Sequence, residues 1–318
     1  MLKKSISIFR KIIRTIVYSS PVRSFVNYTK QVAMPGFDGL PVYDVADFFF
    51  TGIQRGGIKS RAQSLAFSFF LALFPAIIFL FSLIPYVPIH NFQDQLLELI
   101  KNVLPNNAYD ATRSTIEDII KHQRSGLLSI GFLLALYFTS NGFMALMKGF
   151  NTSYHVMESR TPRQRRSAAI VLTLTLSVLL IIATVLIIFG EIATKYLVHE
   201  HILKTKTQVG LLLFSKWIIV LALFFFAISF LYYYAPSVKK RWRFISAGST
   251  FATILSVFAS VGFAYFVNNF GQYNKLYGSI GTLIVIMLWI YFNSLILILG
   301  FELNASIDNA KKKVRRVF

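Results

Sequence analysis

Amide, hydroxyl and charged side chains recur at helical spacing inside stretches that are otherwise apolar. Tyr137, Asn141, Ala145 and Lys148 follow one another at intervals of four, four and three. Thr282, Trp289, Asn293, Gly300 and Asn304 follow at seven, four, seven and four. Each set falls on one face of an α-helix. Where water is scarce, such side chains do one of two things. They line a polar cavity that holds or passes a solute, or they hydrogen-bond neighbouring helices to each other. Both readings stay open for these two stripes, and the cavity, if formed, is expected to open toward the cytoplasm. A third stripe, Ser64, Ser68, Pro75 and Ser82, is read as interhelical packing.

Isolated charges extend the set. Glu302 lies about half a turn from the Asn293–Asn304 face, with Lys148 and Arg61 as partners in a mainly structural ion pair, or with a proton- or cation-coupling role as the sharper alternative. Glu191 and Lys216 fall at depths that could match, unless Lys216 snorkels outward. The chain has no cysteine, which excludes thiol catalysis, disulfides and Cys-ligated zinc or iron–sulfur sites within it. His90, His122, His199 and His201 fall in connections expected outside, with only His155 inside, and acids on the inner side are sparse. Metal-dependent phosphodiester cleavage needs such ligands clustered. No metal, cofactor or enzymatic role is expected.

The elements that must position these residues are six apolar runs, at 62–87, 127–150, 167–190, 208–231, 246–267 and 279–303. Each reaches the roughly 20 residues that cross a hydrocarbon core of about 30 Å as a helix. The fold class is therefore an all-α membrane protein with six transmembrane helices. Charged residues make up only 14% of the chain against 55% hydrophobic ones. The net charge of +20 sits in short blocks beside the apolar runs, which points to the membrane surface and not to nucleic acid. Basic blocks precede the first run (Lys3, Lys4, Arg10, Lys11, Arg14, Arg23, Lys30, Arg55, Lys59, Arg61). They recur at Arg160–Arg166, at Lys239–Arg243 and in the tail from Lys311 to Arg316, whereas the intervening loops are mixed or nearly uncharged. Lys and Arg are retained in the cytoplasm, so both termini are expected there, which requires an even number of spans. No cleavable signal peptide is expected, since the first strongly apolar run begins near residue 62.

Three regions follow: a basic, amphipathic N-terminal region at 1–60, a transmembrane domain at 61–305 with a helical outer loop at 88–125, and a basic tail at 306–318. Turn chemistry at Met34–Pro41 and Gly56-Gly57 divides the N-terminal region. The third span is expected to continue past Glu191 to His201. The small residues of the fifth span (Ser249, Ala252, Thr253, Ser256, Ala259, Ser260, Gly262) predict close helix contact. Tyr232, Tyr233, Tyr234 and Trp242 fit an interfacial aromatic belt.

The last span also carries Tyr277-Gly278-Ser279-Ile280-Gly281, Leu288-Trp289-Ile290-Tyr291 and Gly300-Phe301-Glu302-Leu303-Asn304-Ala305. Upstream stand Ala66-Phe67, Leu73-Phe74-Pro75, Asn141-Gly142, Gly149-Phe150-Asn151 with Tyr154, and Tyr234-Ala235-Pro236 followed by Trp242 and Gly248. Over roughly 45–308 this combination resembles the YihY/virulence factor BrkB family. Phe301 departs from it, since small residues are usual between that Gly and Glu. The resemblance implies a six-span protein of the bacterial inner membrane. The family has carried ribonuclease and serum-resistance labels and suggestions of lipid or solute transport.

Translocation of a lipid or other amphiphile is the leading expectation. The polar stripes would line the path, membrane lipids would be the partners, and Arg163, Arg165, Arg166, Lys239, Lys240 and Arg241 would hold anionic head groups. Those cations also suffice simply to set topology. A small-solute or ion transporter and a non-transporting scaffold are the alternatives. No feature of the sequence fixes an oligomeric state.

Overall fold

Residues 20–317 are described in a computed structural model, apart from 56, 87–92, 95–96, 99–112, 115–116, 119–122, 154–157, 201–204, 238–243 and 270. Within helices, the side chains at 20–23, 25, 55, 191, 195, 206, 268–269, 271–280, 282 and 315–317 are also outside the description. Long apolar segments in lipid must satisfy their own backbone groups, which leaves the helix as the solution for each. The helices are α1 (Ser20–Thr29), α2 (Val42–Arg55), α3 (Ile58–Leu83), α4 (Ser125–Ser153), α5 (Pro162–His199), α6 (Lys206–Tyr234), α7 (Ala247–Asn269) and α8 (Gly271–Val317). The last six are long and apolar enough to cross a membrane, and no strand occurs among the described residues. The chain is an all-α membrane protein.

Local chemistry sets where the spans begin. At α5, Thr161 Oγ1 accepts from the Gln164 N–H at 3.3 Å and Gln164 Oε1 accepts from the Thr161 N–H at 3.0 Å, with Pro162 first in the helix. Thr205 and Gln208 repeat this capping box at α6. Gly57, at φ 58°, takes the left-handed conformation that breaks the chain between α2 and α3.

The six spans form a closed ring in chain order: each of α3 to α7 packs on the next, and α8 returns to α3. α8 also meets α4 across the ring, and α2 lies beneath it. The starts of α3, α5 and α7 and the ends of α4, α6 and α8 gather with α2 at one end, here called the basic end. Past the membrane-spanning stretch α8 continues as a helix, and Ile307 and Ala310 pack against Leu40 and Val45. Lys311 Nζ pairs with Asp38 Oδ2 at 2.8 Å. The segment from 306 is thus joined to the N-terminal region by an apolar contact and an ion pair.

Close packing is concentrated toward the basic end. There Phe150 and Phe301 stack with ring centres 3.9 Å apart, and Tyr232 meets both edge-on at 5.4 and 5.6 Å. Leu65, Leu146, Met147 and Leu172 surround them, fully buried. At the far end Leu180, Phe189, Leu211, Phe214, Phe258 and Tyr265 are exposed, as lipid-facing side chains are. Tyr232 corrects the aromatic-belt expectation: it is buried in the ring and donates to the Leu297 carbonyl at 2.7 Å, while Tyr233 is exposed. The space beside Phe150 and Phe301 is what takes the ring. α5 passes Glu191 and ends at His199, two residues short of His201. In the outer loop the described residues 93–94, 97–98, 113–114 and 117–118 are helical; the rest of that loop and residues 1–19 lie outside the described residues.

Candidate functional site

Glu302 is buried where four helices meet. Its Oε2 accepts from Ser153 Oγ at 2.6 Å and from Arg61 Nη2 at 3.2 Å. Arg61 Nη1 donates to the Gly149 carbonyl and to Ser153 Oγ, both at 2.7 Å. Arg61 sits in the first turn of α3, Ser153 closes α4, and Glu302 comes from α8. Gly52 brings in α2: a Cβ on it would collide with Glu302 Oε1. The guanidinium's planar fork suits three acceptors from two helices. Of the two partners expected for Glu302, Arg61 takes the position, and Lys148 is exposed.

A second polar layer closes the same end. Asn304 Oδ1 accepts from the Gly248 N–H at 2.8 Å, and its Nδ2 donates to Ser246 Oγ at 2.9 Å. Gly248 and Gly300 let the backbones of α7 and α8 touch, because a Cβ on either would strike the other's carbonyl. Asn151 Oδ1 accepts from the N–H and the hydroxyl of Ser237, and its Nδ2 donates to Glu158 at 2.7 Å. Arg160 donates to the carbonyls of Tyr234, Ala235 and Pro236, groups that the end of α6 leaves without helical partners.

Beyond these layers the six spans line a half-open cavity of about 330 Å³. Phe69, Phe143, Leu176, Ile228, Ser256 and Trp289 line it, one from each span. Asn293 also lines it, and donates Nδ2 to the Trp289 carbonyl in its own helix at 2.9 Å. Among the described residues no charged one lines it. The stacked Phe150, Tyr232 and Phe301 lie between it and the basic end.

The described residues give the polar stripes mainly the other of their two expected uses, bonds between and within helices. Among the described residues Glu302, Asn304 and Asn151 bond one element to another at the basic end, and the cavity lined by Asn293 is apolar and sits behind the aromatic layer. Of the stripe residues, Asn293 faces that space and Asn304 is bonded to Gly248 and Ser246. Tyr137 and Asn141 contact Arg166: its Nη1 donates to Asn141 Oδ1 at 2.8 Å, and its guanidinium carbon lies 4.7 Å from the Tyr137 ring centre. The Thr282 and Glu191 side chains fall outside the described residues. Lys216 lies along Gly190, its ammonium 5.6 Å from the Trp217 ring centre. Arg163 is exposed and Arg165 half-buried; Lys239, Lys240 and Arg241 lie outside the described residues.

Sequence reasoning missed Ser153 and Gly52, and read Arg160 only as part of a basic block and not as the residue that caps the end of α6. The one available signal was Gly52, a glycine within an amphipathic helix, which marks a close approach or a break.

The residues at the basic end are those whose motifs stood out in the sequence: Gly149-Phe150-Asn151, Tyr234-Ala235-Pro236, Gly248 and Gly300 to Asn304. The family model described as virulence factor BrkB matches residues 49–317. The chain belongs to the virulence factor BrkB family. A ribonuclease-like protein of Bacillus subtilis (strain 168), YfkH, is 32% identical over 254 residues, 80% of this chain and 91% of that protein. A UPF0761 membrane protein of Tolumonas auensis is 25% identical over 82% of this chain and 84% of its own. One of Vibrio campbellii is 25% identical over 79% and 77%. No solved structure matches the chain. In this BrkB-family chain, Phe301 completes the stack with Phe150 and Tyr232.

Proposed function

We propose that this multi-pass membrane protein accepts the hydrocarbon part of a lipid or other amphiphile in the cavity of its ring and moves it between leaflets. The observation that carries the reading is the cavity itself: apolar, at the low end of the roughly 300–1,000 Å³ usual for small-molecule sites, and walled by every span. An apolar wall suits acyl chains and offers an ion nothing to replace its hydration shell. The charge pattern supports an inner-membrane location with the basic end, and both termini, in the cytoplasm.

The alternative of a small solute or ion has less support. Glu302, its main candidate, is held by Arg61 and Ser153, away from the residues that line the cavity. A scaffold role would leave the cavity unused. We assign no enzymatic step, since the buried carboxylate faces a guanidinium and a hydroxyl and not a second acid.

The test is reconstitution in vesicles carrying a head-group-labelled lipid and a membrane-impermeant quencher. The wild-type protein is expected to expose inner-leaflet label that protein-free vesicles protect. Ala227→Phe, which fills the cavity wall, is expected to slow this about tenfold, the equivalent of roughly 1.4 kcal/mol. Val261→Phe, on the exposed face of α7, is expected to leave it unchanged. No exposure of label by the wild type would end the proposal.

A further inference from the structure

Arg166 stands early in α5 and is fixed from the side by α4. Its Nη1 donates to Ser140 Oγ at 2.7 Å and to Asn141 Oδ1 at 2.8 Å, with Tyr137 against the guanidinium face. Both bonds use Nη1. Among the described residues the other edge, Nε and Nη2, carries no bond, and this is an edge whose parallel N–H groups take two oxygens of a phosphate. Around it Arg163, Arg166 and Ser167 form the polar part of a shallow groove of about 480 Å³, and Pro162, Ile170 and Val171 form the rest. The positive end of the α5 dipole lies at the same place. Cationic groups thus stand at the mouth of a span, with exposed apolar side chains (Val171, Leu174, Val178) continuing down it. That order, charge and then hydrocarbon, is the order of groups in a phospholipid.

We propose that this groove binds an anionic phospholipid of the surrounding membrane. Arg166 takes two phosphate oxygens, Arg163 adds a second positive charge, and the acyl chain lies along Ile170 and Val171. The site is on the outside of the α4–α5 pair, so it stands whether or not the ring cavity carries a substrate.

The experiment titrates the full-length protein in detergent with phosphatidylglycerol or phosphatidylcholine and counts bound lipid by native mass spectrometry. The wild type is expected to prefer phosphatidylglycerol. Arg166→Gln is expected to weaken that binding about tenfold, and Arg166→Lys also weakens it, since a point charge lacks the two-pronged geometry. Arg163→Gln is expected to weaken it several-fold while touching no described helix contact, so it decides the matter should Arg166→Gln fail to fold. Lys59→Gln, an exposed cation elsewhere at the basic end, is expected to change nothing. An equal loss in Lys59→Gln would mean diffuse charge and overturn the proposal. So would unchanged binding in Arg163→Gln and a folded Arg166→Gln, or displacement of the lipid by excess inorganic phosphate.

Discussion

Arg61 and Glu302 are buried together, with side chains only 11% and 5% exposed, and each depends on the other. Removing one leaves an uncompensated charge, at a cost of about 3–5 kcal/mol, whereas replacing both with apolar groups is often neutral. Arg61→Met and Glu302→Leu are therefore each expected to lower the thermal midpoint sharply in fluorescence-detected size-exclusion chromatography. The double variant is expected to recover more than half of the loss, and strictly additive losses would mean that the pair is not the unit. Part of this cluster was legible in the sequence. Glu302 stood out because a carboxylate at the end of an apolar run must find a partner, and Arg61 was one of two within reach. Ser153 was not legible, because a hydroxyl at a helix end has many ordinary uses.

Gly248, Ala252 and Gly300 bring the backbones of α7 and α8 into direct contact. The run of small residues in α7 announced a close contact, but small residues say only that something comes near; that the neighbour is Gly300 of α8 depends on the fold. Substitutions on this one helix separate contact from composition. Gly248→Ala puts a methyl against the Gly300 carbonyl and is expected to cost about 1–3 kcal/mol through backbone displacement. Gly262→Ala, with nothing within 4 Å of the added carbon, is expected to be neutral or to stabilise by up to about 1 kcal/mol through helix propensity. Thermal unfolding of the two purified variants checks this. Equal behaviour would mean that the crossing does not govern stability.

The whole ring is tight at the basic end and looser beyond it, and this asymmetry was hidden in the sequence. Six spans, and their even number, could be read from apolar length and charge. Apolar content, however, is similar along each span, so nothing local marks which end is sealed. The seal consists of Phe150, Tyr232 and Phe301, from α4, α6 and α8, whose stacking appears only when the ring closes. Each such ring pair adds about 0.5–1.5 kcal/mol beyond its buried area, so the layer is a barrier that motion of α6 or α8 would have to break. The absence of cysteine from the chain makes this directly measurable. Ser256→Cys, behind the layer, is expected to react with a lipid-soluble maleimide but not with a charged thiosulfonate supplied at the basic face. Lys59→Cys, exposed in front of it, is expected to react with the charged reagent there. Phe301→Ala, which removes the central ring, is expected to admit the charged reagent to Ser256→Cys from that face. If the charged reagent already reaches Ser256→Cys with Phe301 in place, the aromatic layer opens in the resting protein, and the basic end is a gate in motion and not a floor.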